Sequence, residues 1–98
     1  MDLGTEVCKA SAFTLDGRLV HRVSFEQKTY YPNAGWAEQD PEEWWHNVSR
    51  ALKCLTRRVG RERISGVGIS GQMEGPTLLD RYGDQLRSCI IWADMRGE

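Results

Sequence analysis

Three short strings in this 98-residue chain carry the side chains best suited to hold a polar ligand. The first is Ile64 to Gly75, ISGVGISGQMEG, an apolar run that ends in a glycine-bracketed polar loop, Ser70-Gly71-Gln72-Met73-Glu74-Gly75. Ile64, Val67 and Ile69, thinned by Gly66 and Gly68, read as a buried strand whose glycines let neighbouring backbone pass close. Polar side chains presented where a strand of an open α/β sheet runs out are where ligands usually bind. A plain surface turn is the alternative, because a fold pattern does not fix function by itself. The second string is Asp2-Leu3-Gly4-Thr5, a strand-to-turn signal with a flexible residue and a hydroxyl side by side, its strand expected to start upstream of Met1. The third is Asp94 and Arg96, one residue apart after an apolar run. They form either an exposed ion pair of small energetic worth or a holder for a polar ligand at a strand end.

Other polar residues have simpler readings. Glu42 and Glu43 resemble an acid-base pair but fit a helix start. His21 reads as a cross-strand surface or edge residue, with no second histidine, cysteine or orienting acid close in sequence, and His46 as solvated. Cys8, Cys54 and Cys89 are odd in number, fit no zinc spacing and cannot all pair, so reduced, buried thiols in a cytosolic protein are expected. A net charge of -1 gives no electrostatic reason to expect nucleic acid or an anionic membrane as partner. No run approaches the ~18 apolar residues of a membrane span, and the first residues lack the pattern of a signal peptide. Four tryptophans are many for this length, and some are expected to face something outside the chain's own core.

The elements that must position these strings are legible in part. Lys9 to Leu15, with Phe13 and Leu15 on one face, reads as a strand that turns at Asp16-Gly17. Arg18 to Phe25 returns beside it, with Leu19, Val23 and Phe25 sharing a face. Tyr30 to Gln39, broken by Pro32, Asn33 and Gly35, reads as an irregular segment that covers the core or walls a pocket. Asp40 as N-cap, Pro41 at the first helical position and Glu43 at capping-box spacing start a helix. Trp44, Val48, Ala51, Leu52, Leu55 and Val59 give it one apolar stripe, and Gly60 ends it, so it spans about 41–59. Thr77 to Leu79 and Leu86 to Trp92 read as strands around an Arg81-Tyr82-Gly83-Asp84 turn. The sum is an α/β chain: a mixed sheet with one main helix.

Taken together, DLGT at 2–5, GWAEQDPEEWW at 35–45, GISGQMEG at 68–75, LLD at 78–80 and IIWADMR at 90–96 resemble the N-terminal part of the FGGY carbohydrate kinases, most closely the xylulokinase-like branch. The resemblance runs over nearly the whole chain. It implies a partial actin-like, ribonuclease-H-like domain over residues 1–98, truncated at both ends. It also implies ATP and Mg2+ as cofactors, a sugar or polyol as substrate, a cytoplasmic location and room for a homodimer. Asp2, Gly4 and Thr5 match the family's first phosphate motif, with Asp2 the candidate metal-side carboxylate, and Lys9 matches a nearby basic position. Small residues let backbone donors reach phosphate oxygens, and a carboxylate helps hold a hard cation. Gln72, Met73 and Glu74 fall where the family lines its sugar site, and Trp92, Asp94 and Arg96 match its W-x-D-x-R string. An indole face against C–H groups, with amide and carboxylate groups on hydroxyls, suits polyol recognition.

The chain departs from the xylulokinase-like pattern at Glu74, where that branch has histidine and the glycerol kinase branch glutamate. D-xylulose is therefore not implied, whereas a small polyol or ketose is. The family's general base lies beyond residue 98, as does its adenosine-binding domain, so the isolated chain is expected not to turn over substrate. A free-standing sugar- or nucleotide-binding module and a non-functional truncated product are the competing readings.

Overall fold

The computed structural model describes residues 1–97. Its longest pairing is the hairpin of β2 (Val7–Phe13) and β3 (Leu19–Glu26), joined by the turn at Asp16-Gly17. The register shifts between Ala12 and Phe13, so the strands part before the tip. β1 (Asp2–Leu3) lies antiparallel to β2 on its other side, with Asp2 opposite Lys9. β5 (Ser70–Gly71) joins β1 in parallel, giving the order β3-β2-β1-β5. A parallel neighbour needs a long crossover, and here it is built from the hairpin and the helix α1 (Pro41–Val59). β4 (Glu38–Gln39) and β6 (Cys89–Ile90) form a separate antiparallel pair.

The helix has the predicted bounds. Asp40 Oδ1 accepts from the Glu42 amide at 3.0 Å, and the Gly60 amide returns to the Thr56 carbonyl at 2.9 Å. Such an N-cap contributes about 1 kcal/mol. The capping-box spacing is not used reciprocally: Glu43 accepts instead from the Tyr30 hydroxyl. The apolar stripe serves two clusters. Val48, Ala51, Leu55 and Val59 pack with Cys8 and Ala10 of β2 and with Val23 and Phe25 of β3. One turn earlier, Trp44 packs with Ala37, Cys89 and Ile91. Small side chains at Cys8, Ala10 and Ala51 let the helix sit close to the sheet, as dense packing requires.

Several expectations are corrected. Ile64 to Ile69 is not a buried strand: only Ser70–Gly71 pairs, and Val67 and Ile69 are 65% and 83% exposed. A parallel strand is buried only when both of its faces are covered, and β5 forms the edge of its sheet among the described residues. Phe13 and Leu15 are exposed for the same want of cover. Cys54 is exposed on the helix, whereas Cys8 and Cys89 are buried, their thiols pushed up mainly by that burial. Thr77 to Leu79 makes only the isolated bridge Leu79 to Gln85, and Leu86 to Trp92 shortens to Cys89–Ile90. The Tyr30 to Gln39 segment is less irregular than expected, since Tyr30 bridges Glu38 and Glu38–Gln39 form β4. The turn after Leu79 is held by Asp80, whose Oδ1 accepts from the amides of Tyr82 and Asp84.

Candidate functional site

Asp2 to Thr5 forms β1 and the turn after it. An added Cβ at Gly4 would stand 2.9 Å from the Val7 carbonyl, so only glycine fits this tight turn. The Gly4 amide donates to that same carbonyl at 3.1 Å, and is therefore used within the turn. The turn brings the Thr5 side chain to the end of the β1–β5 ladder, whose last rung is Gln72 N–H to Leu3 C=O at 2.9 Å. Beyond that rung, side chains take over.

The Thr5 hydroxyl donates to Gln72 Oε1 at 3.1 Å and accepts from the Trp92 indole at 2.9 Å. Gln72 Nε2 donates to Gln39 Oε1 at 2.8 Å, and the Trp44 indole donates to the same oxygen at 2.8 Å. Gln39 Nε2 donates to the Thr5 carbonyl at 2.7 Å and to the Thr29 hydroxyl at 2.8 Å. An indole only donates and a carbonyl only accepts. Trp44 and the Thr5 carbonyl thereby fix the Gln39 amide, Gln39 fixes Gln72, and Gln72 fixes the direction of the Thr5 hydroxyl. The chain of bonds has one proton order.

Two sequence-predicted groups thus meet through a third: Gln72 and Trp92 both bond to Thr5. Trp92 is 61% exposed, so its ring keeps a free face. Gly75 sets the loop beside the second strand pair, where an added Cβ would stand 3.1 Å from Cys89 Sγ. Met73 and Glu74 lie between these fixed points and are exposed. Glu74 has φ +61°, the left-handed region that a non-glycine residue adopts at a cost of about 1–2 kcal/mol. Such strain is typical of ligand-facing positions. Asp2 and Lys9 face each other on β1 and β2, Nζ to Oδ2 3.7 Å, both half-exposed.

Asp94 and Arg96 match neither expected alternative in full. The Asp94 carboxylate, 3% exposed, accepts from Arg96 Nε, Nη2 and backbone N–H, and from the Ala37 amide at 2.6 Å. Arg96 Nη2 also donates to Glu38 Oε1 at 2.8 Å, and its guanidinium lies 3.8 Å from the centre of the Trp36 ring. Arg87 Nη2 reaches the same Glu38 oxygen at 2.7 Å. The Arg96 hydrogen bonds, helped by the Ala37 and Arg96 amides, hold the Asp94 carboxyl well below the usual carboxylate range despite its desolvation. The pair clasps the strand end that carries Trp92 onto the segment Trp36 to Glu38.

Glu38 and Gln39 were given no role by their residue types. Both are buried polar residues in the string that precedes the helix. Two signals were available: their place immediately before a strong N-cap, where the backbone is fixed, and their inclusion in the GWAEQDPEEWW string that carries the family resemblance.

A sheet of this order with one crossing helix, and with polar loops gathered at the ends of β1 and β5, belongs to the actin-like ATPase class. A xylulose kinase from Rhodospirillum rubrum superposes with a TM-score of 0.92 at 33% identity, over 97% of this chain and 20% of that one. A xylulose kinase from Klebsiella pneumoniae is 38% identical over 96 residues, which is 98% of this chain and 20% of the relative. A glycerol kinase from Aquifex aeolicus is 36% identical over 99 residues, 100% of this chain and 20% of the relative. The chain belongs to the FGGY family of carbohydrate kinases, matching the family's N-terminal domain over residues 1–98. It spans about one fifth of the length of the relatives it matches.

Proposed function

We propose that residues 1–98 form one wall of the cleft of a cytoplasmic, ATP-dependent carbohydrate kinase that phosphorylates a hydroxyl of a ketose or polyol. The observation that carries this reading is the convergence of Gln72 and Trp92 on the Thr5 hydroxyl. It joins a loop suited to phosphate with a loop suited to hydroxyls.

In this reading Trp92 offers its exposed face to sugar C–H groups. Glu74, exposed on the loop that follows Gln72, accepts from sugar hydroxyls, and the exposed Met73 offers apolar contact. Gln72 has one amide hydrogen left after its bond to Gln39 and turns it to the same substrate. Asp94 and Arg96 serve the sugar site by clasping the Trp92 strand end. Asp2, Gly4, Thr5 and Lys9 form the phosphate side, where the Lys9 ammonium offsets phosphate charge.

No group of three His, Cys, Asp or Glu side chains able to hold a metal exists among the described residues. Mg2+ needs no such cage, since it binds through one or two carboxylates plus substrate phosphates. The half-exposed Asp2 carboxylate fits that role. When bound, the ion neutralises charge on the transferring phosphoryl group. The chain's own residues bind and orient, and the base that takes the hydroxyl proton is expected beyond residue 98.

The test is phosphoryl transfer by the longest in-frame polypeptide that contains residues 1–98, with MgATP and a panel of ketoses and polyols. Transfer to one of them supports the reading. ATP turnover without a phosphorylated sugar, or no transfer at all, overturns it.

A further inference from the structure

The geometry points to Gln39 as a positioning residue for phosphoryl transfer, one that locks the phosphate-side turn to the sugar-side loop. This inference rests on the kinase reading above. Gln39 is fully buried and uses all four of its amide hydrogen-bonding positions on four separate segments, at Thr5, Thr29, Trp44 and Gln72. Its own backbone is fixed twice over. Gln39 pairs with Cys89 across β4 and β6, and the next residue, Asp40, caps the helix.

The position of this lock matters. β1 and β5 share only two residue pairs, and the last backbone rung stops at Gln72 N–H. Thr5 and the Gln72 side chain lie past it, at the place where the two proposed half-sites must keep a fixed separation. Gln39 bonds to the backbone of one and the side chain of the other, from a rigid element behind both. Buried polar networks of this kind rigidify only when every member is satisfied, and here each Gln39 atom is. A displacement of about 1 Å between reacting groups can cost about 100-fold in rate, so a link across this gap acts on alignment rather than on the affinity of either substrate.

The experiment compares the parent with Gln39→Glu and Gln39→Leu. The carboxylate of Gln39→Glu still accepts from Trp44 and Gln72 and can accept from the Thr29 hydroxyl once that group turns, but it cannot donate to the Thr5 carbonyl. In the 98-residue chain, hydrogen exchange of the Trp92 indole N–H in Gln39→Glu should quicken about 10-fold, the value of one lost hydrogen bond. Exchange of the Trp44 indole should stay within about twofold, because its acceptor survives. In the in-frame polypeptide, kcat should fall by about 10- to 100-fold, with KM for sugar and for MgATP within about threefold of the parent. Gln39→Leu should show both losses and also release Trp44; if it does not fold, Gln39→Glu carries the test. Unchanged Trp92 exchange, or a raised KM with kcat intact, overturns the proposal. Should the parent transfer phosphate to no sugar, the kinase reading falls, and Trp92 exchange still decides whether Gln39 locks the two loops.

Discussion

The Trp92 indole nitrogen donates to the Thr5 hydroxyl at 2.9 Å, across 87 positions of sequence. Thr5 sits at the turn after the first strand and Trp92 just past the last, so one hydroxyl ties the ends of the described chain into a single floor. Both sides of that hydroxyl are used, since it also donates to Gln72.

Thr5→Val keeps the branched shape and removes the hydroxyl. It leaves Gln72 Oε1 without its donor and the Trp92 N–H without its acceptor. The expected loss is about 1–3 kcal/mol in urea denaturation, with a change in the Trp92 emission. Thr5→Ser retains both bonds and should restore most of the loss.

Asp94 sets an acid limit. Its folded carboxyl titrates below the unfolded value of about 3.9. The ionised clasp therefore stabilises fully above that value, and its contribution is lost as pH falls through the folded value. The urea midpoint of the parent should hold from pH 7 to near pH 4 and then drop. Asp94→Asn should have a lower midpoint at pH 7 and a shallower fall in acid. Equal acid slopes in the two proteins would count against the clasp.

Glu74 separates stability from binding. Glu74→Gly relieves the left-handed backbone and should leave the melting temperature unchanged or raised, by up to about 1 kcal/mol in stability. Glu74→Ala keeps the strain. In the in-frame polypeptide both should raise KM for the sugar about 10-fold, as the loss of a charge-assisted bond would, and leave KM for ATP near the parent. Equal losses for sugar and ATP would remove Glu74 from the substrate role.

The sequence was most informative where one local rule decided the outcome. Asp40, Pro41 and Gly60 bounded the helix, and its stripe from Trp44 to Val59 named the packing face. Asp16-Gly17 marked the hairpin turn. It misled where burial depends on what lies alongside: Ile64, Val67 and Ile69 have the pattern of a covered strand, yet β5 is an edge, Val67 and Ile69 are largely exposed and Ile64 is only partly covered. Motif matching brought Gln72, Trp92 and Thr5 forward, but not the hydrogen bonds that join the first two to the Thr5 hydroxyl. Nor does any residue-type rule distinguish Gln39, saturated with hydrogen bonds, from an ordinary surface glutamine. Asp94 and Arg96 show the same limit, because their spacing fits a ligand holder and only coordinates reveal that the carboxylate is already fully engaged.

The most direct measurement is a crystal structure of the longest in-frame polypeptide with its phosphorylatable ketose or polyol bound. The account predicts the sugar stacked on the free face of Trp92, with Glu74 and the spare amide hydrogen of Gln72 on its hydroxyls and Thr5 still bridging Gln72 and Trp92. A sugar bound away from Trp92, or Gln72 and Glu74 turned from it, would contradict the account.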